Sequence, residues 1–353
     1  MKYTKEQAEM LRNKFKLSQS AIKQLLDRES NEIRYCMKQF GNTYILKSDK
    51  LEKEVFNRGN LFEYLAIGQN SSHSDNHANM VLSRKKPNKQ QKMLGEKGDM
   101  TILEQRIREQ GEKCKQTMKD KGWNISEDNT QVVFFKVINP EAPIEQWKIF
   151  RGEADIAFIP TNTTSFGRTI SIIDLKNTAS VSNLFGPYSW ANHEYMNKLQ
   201  SYSYLWAAKD IDFELNDILN PGNNLRKAVI SCGYNMIKQD NPNIDIDYDN
   251  LSKEEEELLS KMVLDLIDKG HVSFIYYVWE NAPAMGNLMV PVEISKDSSY
   301  ILKESFRKSI NIIEEMIGYY NEHGEFREDA HPEVCKDCHI KECKMRDSGE
   351  FLY

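Results

Sequence analysis

Two acids and a lysine in this chain have the spacing to share one site. Asp155 lies in the run Ala154-Asp155-Ile156-Ala157-Phe158-Ile159, and Asp174 and Lys176 close the run Ile170 to Lys176. Side chains alternate across a strand, so Asp174 and Lys176 point to the same face. Two carboxylates and an ammonium on one side of a hairpin suit a divalent cation, Mg²⁺ or Mn²⁺, together with a water. The lysine can orient that water or offset charge developing on a phosphate. Solvated strand ends use the same residue types, so the surrounding elements decide between the two.

Those elements read as follows. Thr4 and Gln7 form a capping box for a helix to Phe15, and Ser18 can cap a second helix, Gln19 to Asp27. Helical stretches follow around Glu54 to Ile67 and over Ile102 to Lys121. Residues 69–98 are polar and are expected to form a long loop, in which Arg84, Lys85, Lys86, Lys89 and Lys92 make a basic cluster without an acid. The pattern then shifts to strands: Gln131 to Val137, Trp147 to Arg151, Ala154 to Ile159 and Thr169 to Leu175. A helix over Tyr195 to Ala208, a strand over Lys227 to Ile237, a capped helix from Ser252 to Ile267, a strand over Val272 to Trp279 and a helix over Ser299 to Tyr320 complete the chain. This is an α/β protein, a mixed core with helices at both ends.

Two further groups belong with the acids. Gln200 and Tyr204 lie four apart on the helix after the Asp174 strand and share its face. Glu63, in Gly59-Asn60-Leu61-Phe62-Glu63, places a carboxylate on a helix, free to complete a cation shell or to face solvent. The acidic segment Asp245-x-Asp247-x-Asp249 imitates a calcium loop. Asn250 stands where the sharp turn needs glycine, so it is expected to be a turn leading into a capped helix.

With 353 residues, 40% hydrophobic and 28% charged, the chain can bury a large core. No apolar run reaches the length of a membrane span and the N-terminus does not open like a signal peptide, so the expected location is the cytoplasm, with no membrane partner. The net charge of −6 disfavours a wholly basic nucleic-acid binder but leaves room for a local positive groove. Cys335, Cys338 and Cys343 form a C-x2-C-x4-C cluster that needs a fourth ligand. Zn²⁺ with His331 or His339, or an iron–sulfur cluster with a distant cysteine, both satisfy that chemistry. Cys114 and Cys232 read as bystanders.

In order along the chain stand Cys36-x-x-x-Phe40, Gly59-x-x-x-Glu63, Gly152-x-x-Asp155, Asp174-x-Lys176, Gln200-x-x-x-Tyr204 and the cysteine cluster. This order resembles the PD-(D/E)xK nuclease superfamily, in its RecB-like exonuclease branch. It looks closest to RecE-type phage exonucleases over the opening helices, Arg58-Gly59 and the text from Ile173 to Trp206. The resemblance spans about residues 17 to 345. It implies a restriction-endonuclease-like core, a central mixed sheet flanked by helices. Asp155 and Asp174 would then be metal ligands and Lys176 the catalytic lysine. Gln200 and Tyr204 would be the pair that positions DNA or the active-site helix. Glu63 falls where relatives carry a histidine or a glutamate.

The resemblance also favours a [4Fe–4S] cluster on Cys36, Cys335, Cys338 and Cys343 over zinc, although Met37 replaces the motif's proline and the last spacing is four rather than five. The implied layout is an N-terminal helical region over 1–125, a nuclease core over 126–325 and a cysteine segment over 326–353 that packs back through Cys36. The implied activity is Mg²⁺- or Mn²⁺-dependent exonuclease action on linear DNA, double- or single-stranded, resecting ends for recombination or repair. It leaves room for a recombinase or annealing protein as partner and for an oligomer. Two alternatives stand beside it: a metal-stapled DNA-binding module with a vestigial site, and a CRISPR-adaptation nuclease.

Overall fold

The computed structural model describes residues 2–26, 35–47, 54–68, 102–164, 167–178, 194–280, 286–292 and 298–328. The polar 69–98 stretch and the C-terminal segment with His331, Cys335, Cys338, His339 and Cys343 lie outside the described residues. Helix α1 (Lys5–Asn13) opens with the Thr4–Gln7 capping box. It is followed by β1 (Lys16–Ser18), α2 (Gln19–Leu25) capped by Ser18, and the short α3 (Met37–Phe40), which runs into a π-helical turn over Gly41–Ile45. Next come α4 (Glu54–Ile67), α5 (Ile102–Asp120), β2 (Thr130–Val137), β3 (Ile149–Thr164) and β4 (Gly167–Thr178). Helices α6 (Glu194–Ala207), α7 (Phe213–Leu219), α8 (Leu225–Asp240) and α9 (Lys253–Asp268) lead to β5 (Val272–Glu280), β6 (Asn287–Val292) and α10 (Ser298–His323).

The strands form one mixed six-stranded sheet. Antiparallel pairs join β2 to β3, β3 to β4 and β5 to β6, while β1 runs parallel to β3 and β4 parallel to β5. Among the described residues the β4–β5 crossover carries α6 to α9, a long connection of the kind a parallel pair needs. Helices cover both faces. Ile170, Ile172, Phe274, Tyr276 and Val278 pack with residues of α2, α6, α8, α9 and α10. The alternate residues Ile173, Leu175, Ile275, Tyr277 and Trp279 pack on Leu61, Phe62 and Ala66 of α4 and Ile107, Cys114 and Met118 of α5. Burying a side chain such as Phe62 in this layer contributes roughly 2 kcal/mol. The architecture is therefore α/β, with a central mixed sheet flanked by helices. Among the described residues no helix is long and apolar enough to cross a membrane.

Two sequence expectations are corrected, and one strand is added to those expected. Lys227 to Ile237 is not a strand but the middle of α8. Its β-branched pair Val229-Ile230 imitates a strand, yet Leu225, Ala228, Val229, Cys232 and Met236 are buried at helical spacing. Gly233 brings the helix against α9, where an added Cβ would stand 2.5 Å from the Leu259 carbonyl oxygen. The segments Trp147 to Arg151 and Ala154 to Ile159 are one strand, because Gly152 continues β3 instead of breaking it. An added Cβ there would meet the Phe134 ring at 2.3 Å, so the glycine makes room for a cross-strand aromatic. Strand β6 carries Pro291 at the sheet edge, where a missing amide donor is tolerated, and its polar ends hid it. The calcium-like segment is a 3-10 turn, Tyr248–Asn250, closed by Asp247 and followed by the Ser252–Glu255 capping box, as expected.

Candidate active site

The site lies where two strands part. Ile156 of β3 pairs with Thr130 of β2 and with Ile173 of β4, so β2 and β4 occupy opposite edges of β3. Residues 149–151 pair with both β2 and β1, which puts β1 on the same edge as β4. Between the last β1 pair, Ser18↔Arg151, and the last β4 pair, Ile156↔Ile173, β3 has no strand partner on that edge. The opening spans residues 152–155, and Asp155 and Asp174 are the first residues past the end of the β3–β4 ladder.

An opening in a sheet leaves backbone groups to be satisfied, and the site residues do this. The Asp155 carboxylate Oδ2 accepts the Leu175 amide at 2.6 Å, a donor that would otherwise continue the ladder. The Tyr204 hydroxyl donates to the Glu153 carbonyl at 2.8 Å and accepts the Glu153 amide at 3.4 Å. Phe134 and Phe274 meet the Tyr204 ring edge-on at 5.2 and 5.8 Å and fix it there. One turn earlier on α6, Gln200 Nε2 donates to Asp174 Oδ1 at 2.8 Å. The other Asp174 oxygen pairs with the Lys176 ammonium.

Asp174 and Lys176 thus share a face, as strand alternation requires. Asp155, next to Ile156 at the end of the β3–β4 ladder, meets the other two at the opening and is electrostatically linked to both. Helix α4 brings Glu63 to the same place, where Gln131 at the head of β2 donates to Glu63 Oε1. Gln131 adopts φ 49, a left-handed conformation that costs a non-glycine residue about 1 kcal/mol or more.

These groups act on one another electrostatically. Burial pushes the Glu63 carboxyl up to about 7; the Lys176 ammonium opposes this, and Asp174 and Glu153 reinforce it. Burial, then Glu63 and Asp174, raise Asp155 well above the ordinary carboxylate range, against the pull of Lys176 and the Leu175 amide. Burial would lower Lys176, but Asp174, Asp155 and Glu63 together outweigh it and hold the ammonium protonated. Among the described residues, no three His, Cys, Asp or Glu side chains stand ready as a cation cage. The donor set nevertheless fits a hard divalent ion: it is all oxygen, and three carboxylates oppose a single ammonium.

The other predicted residues fall as follows. Cys36 is buried at the start of α3, while Cys335, Cys338 and Cys343 lie outside the described residues. Cys114 and Cys232 are buried in the core, and burial pushes both thiols up. Glu153, Arg151 and Gln131 were not expected at the site. Arg151 and Glu153 alternate along β3 up to the opening, a pattern the sequence shows; Gln131 emerges only through its bond to Glu63.

No family model matches the chain, and no curated protein matches it in sequence. Among solved structures it is similar to a "Putative exonuclease" from Eubacterium rectale, at 11% identity and a TM-score of 0.45, over 100% of this chain and 95% of that one.

Proposed function

We propose that this chain is a metal-dependent deoxyribonuclease of the PD-(D/E)xK kind, acting on DNA ends. The observation that carries the reading is the strand opening, at which Glu63, Asp155, Asp174 and Lys176 are electrostatically linked while Gln200 and Tyr204 hold two of its walls. Asp155, Asp174 and Glu63 would hold Mg²⁺ or Mn²⁺, which relieves their mutual repulsion. Such an ion supplies polarisation of the scissile phosphate and a more acidic water. Lys176, kept as an ammonium by its carboxylate neighbours, donates to the attacking water or to a phosphate oxygen, and in-line attack expels the 3′ oxygen. Gln200 fixes the orientation of Asp174, and Tyr204 keeps the opening in shape by bonding the free edge of β3.

The restriction-endonuclease-like identity of the sheet, the division at about residues 125 and 325, and a role in end resection with an annealing partner extend the same proposal. So does a [4Fe–4S] cluster on Cys36, Cys335, Cys338 and Cys343, with structural zinc as its rival. The cluster is supported by the course of the C-terminal chain. The Lys38 amide donates to the Arg327 carbonyl at 3.0 Å, and Lys38 pairs with Glu328. The seven residues from Glu328 to Cys335 span at most about 24 Å, enough to return to Cys36.

The test is digestion of end-labelled linear DNA and closed circular DNA, with Mg²⁺ and with EDTA. Linear DNA is expected to shorten from its ends with Mg²⁺ only. Asp174→Asn and Lys176→Ala are each expected to lose about a hundredfold or more in rate while still shifting DNA on a gel. Full activity in either purified variant would remove the assignment. The second reading is the metal-stapled DNA-binding module with a vestigial site. DNA that is retarded but never cut would support that reading instead.

A further inference from the structure

A cleft of about 960 Å³ opens beside β1, between α1, the π-helical turn and α10. Its lining includes Arg12, Lys14, Lys16, Lys47 and Arg151, and no Asp or Glu is among the described residues that line it. Concentrating five cations in one cleft of a chain with net charge −6 is local, not compositional. The cations crowd one another. Burial and then the nearby Lys47 ammonium lower Lys16. Lys14, whose ammonium bonds the Glu145 carbonyl at 2.5 Å, is lowered by burial and by Lys148. Among the described residues Arg151 pairs with the Glu153 carboxylate at 2.6 Å, and Glu145 partly offsets the crowding at Lys14. Between the charges lie flat apolar surfaces: Phe15, Tyr44 and Tyr320, none of them fully buried. Tyr44 is braced by stacking on Phe40 at 4.9 Å between centroids. Lys47 sits just past the π-helical turn at φ 54, and it is exposed.

The cleft reaches the edge of the strand opening at Ser18 and Arg151, the last β1–β3 pair, both of which line it. Phe135 pairs with Arg151 and Val133 with Glu153, and Phe135, Val133 and Arg151 all line the cleft. Asp155 lies four positions beyond Arg151 along β3, about 13 Å. A cationic trough with aromatic faces, ending beside the strand opening, matches a flexible polyanion whose bases can stack.

We infer that this cleft is a track for a single nucleic-acid strand, held through its phosphates by Lys14, Lys16, Lys47, Arg12 and Arg151, and that it leads to the strand opening. The inference rests on the nuclease reading for the direction of the track but not for binding.

Binding is measured by fluorescence anisotropy with a labelled single-stranded oligonucleotide in EDTA, which separates it from cleavage. Lys16→Gln combined with Lys47→Gln is expected to weaken binding on the order of tenfold near 0.1 M salt. The slope of log K against log salt should become shallower by about 1.4, two phosphates' worth for a single strand. The single Lys47→Glu change, at an exposed side chain that cannot unfold the protein, should weaken binding in the same direction. Lys227→Glu with Lys253→Glu, on exposed α8 and α9 positions, should leave it unchanged. Unaltered affinity and salt slope in both cleft variants would overturn the track. So would equal losses in the α8/α9 control, or a loss confined to binding of a polyglutamate peptide, which would make the cleft a protein-docking site. Absence of Mg²⁺-dependent cleavage by the unaltered chain would count against the nuclease reading alone.

Discussion

Glu63 is the acid whose charge the fold leaves most open. Burial raises its carboxyl to about 7, with Lys176 pulling down and Asp174 and Glu153 pushing up. Because the folded value lies above the ordinary 4.5, the folded chain holds this proton more tightly than the unfolded chain. That contribution to stability is fully present below about pH 4.5 and is lost as pH rises through about 7. Asp155 is shifted in the same direction and adds to the trend. In EDTA the melting temperature is therefore expected to fall between pH 5 and 8. Glu63→Gln should flatten that fall and leave the protein more stable at pH 8, on the order of 2 kcal/mol after allowing for solvent access to the opening. Added Mg²⁺ or Mn²⁺ should stabilise the unaltered chain more as pH rises, because a ligand carboxylate must be ionised. Calorimetry at four pH values checks both statements, and a slope unchanged by Glu63→Gln would detach Glu63 from the acid cluster.

At the scale of the element, the opening between β1 and β4 is built by α6. Tyr204→Phe removes the hydroxyl that serves both backbone groups of Glu153 and is expected to cost about 1–3 kcal/mol in urea unfolding, the range for a buried polar group left unpaired. Gly152→Ala forces the Phe134 ring away from Tyr204 and should destabilise by a similar amount, roughly 1–3 kcal/mol of overpacking. A Tyr204→Phe protein as stable as the unaltered chain would show that water serves the opening just as well. Much of this was legible in the sequence. The runs around Asp155 and Asp174 alternate cleanly, and the four-residue spacing of Gln200 and Tyr204 is helical, so strands, helix and site residues could be read locally. The opening itself could not. It depends on Lys16–Ser18 pairing with Ile149–Arg151 across more than a hundred residues, and no local pattern encodes that pairing. Helix α8 was misread for a related reason. Val229 and Ile230 suit a strand by type, while the Gly233 approach to α9 that makes the segment a helix is a tertiary contact.

At the scale of the molecule, both ends of the described chain are fastened to the body. The Tyr3 hydroxyl donates to Asp212 at 2.7 Å and the Lys2 amide to Glu214 at 2.6 Å, tying the start of α1 to α7. At the other end Phe326 packs under Gly41, where an added Cβ would meet its ring at 2.2 Å, and Arg327 and Glu328 bond to Lys38. Residues two to five positions after Cys36 are thus already joined to the segment that leads to Cys335. A four-cysteine cluster would lock a closure that the fold has begun. In the chain-entropy picture, closing a loop of roughly 300 residues restricts the unfolded chain by about 6 kcal/mol. Protein purified without oxygen is expected to be brown, with absorbance near about 400 nm and close to four irons per chain. Cys36→Ser should bleach it and lower the midpoint of urea unfolding, while Cys232→Ser, at a buried core position, should leave the colour intact. Colourless protein with one zinc per chain would replace the cluster by the tetrahedral alternative. Brown protein whose colour survives Cys36→Ser would free the N-terminal half from the closure, and the Lys38 contacts would then be the whole of what joins the two ends.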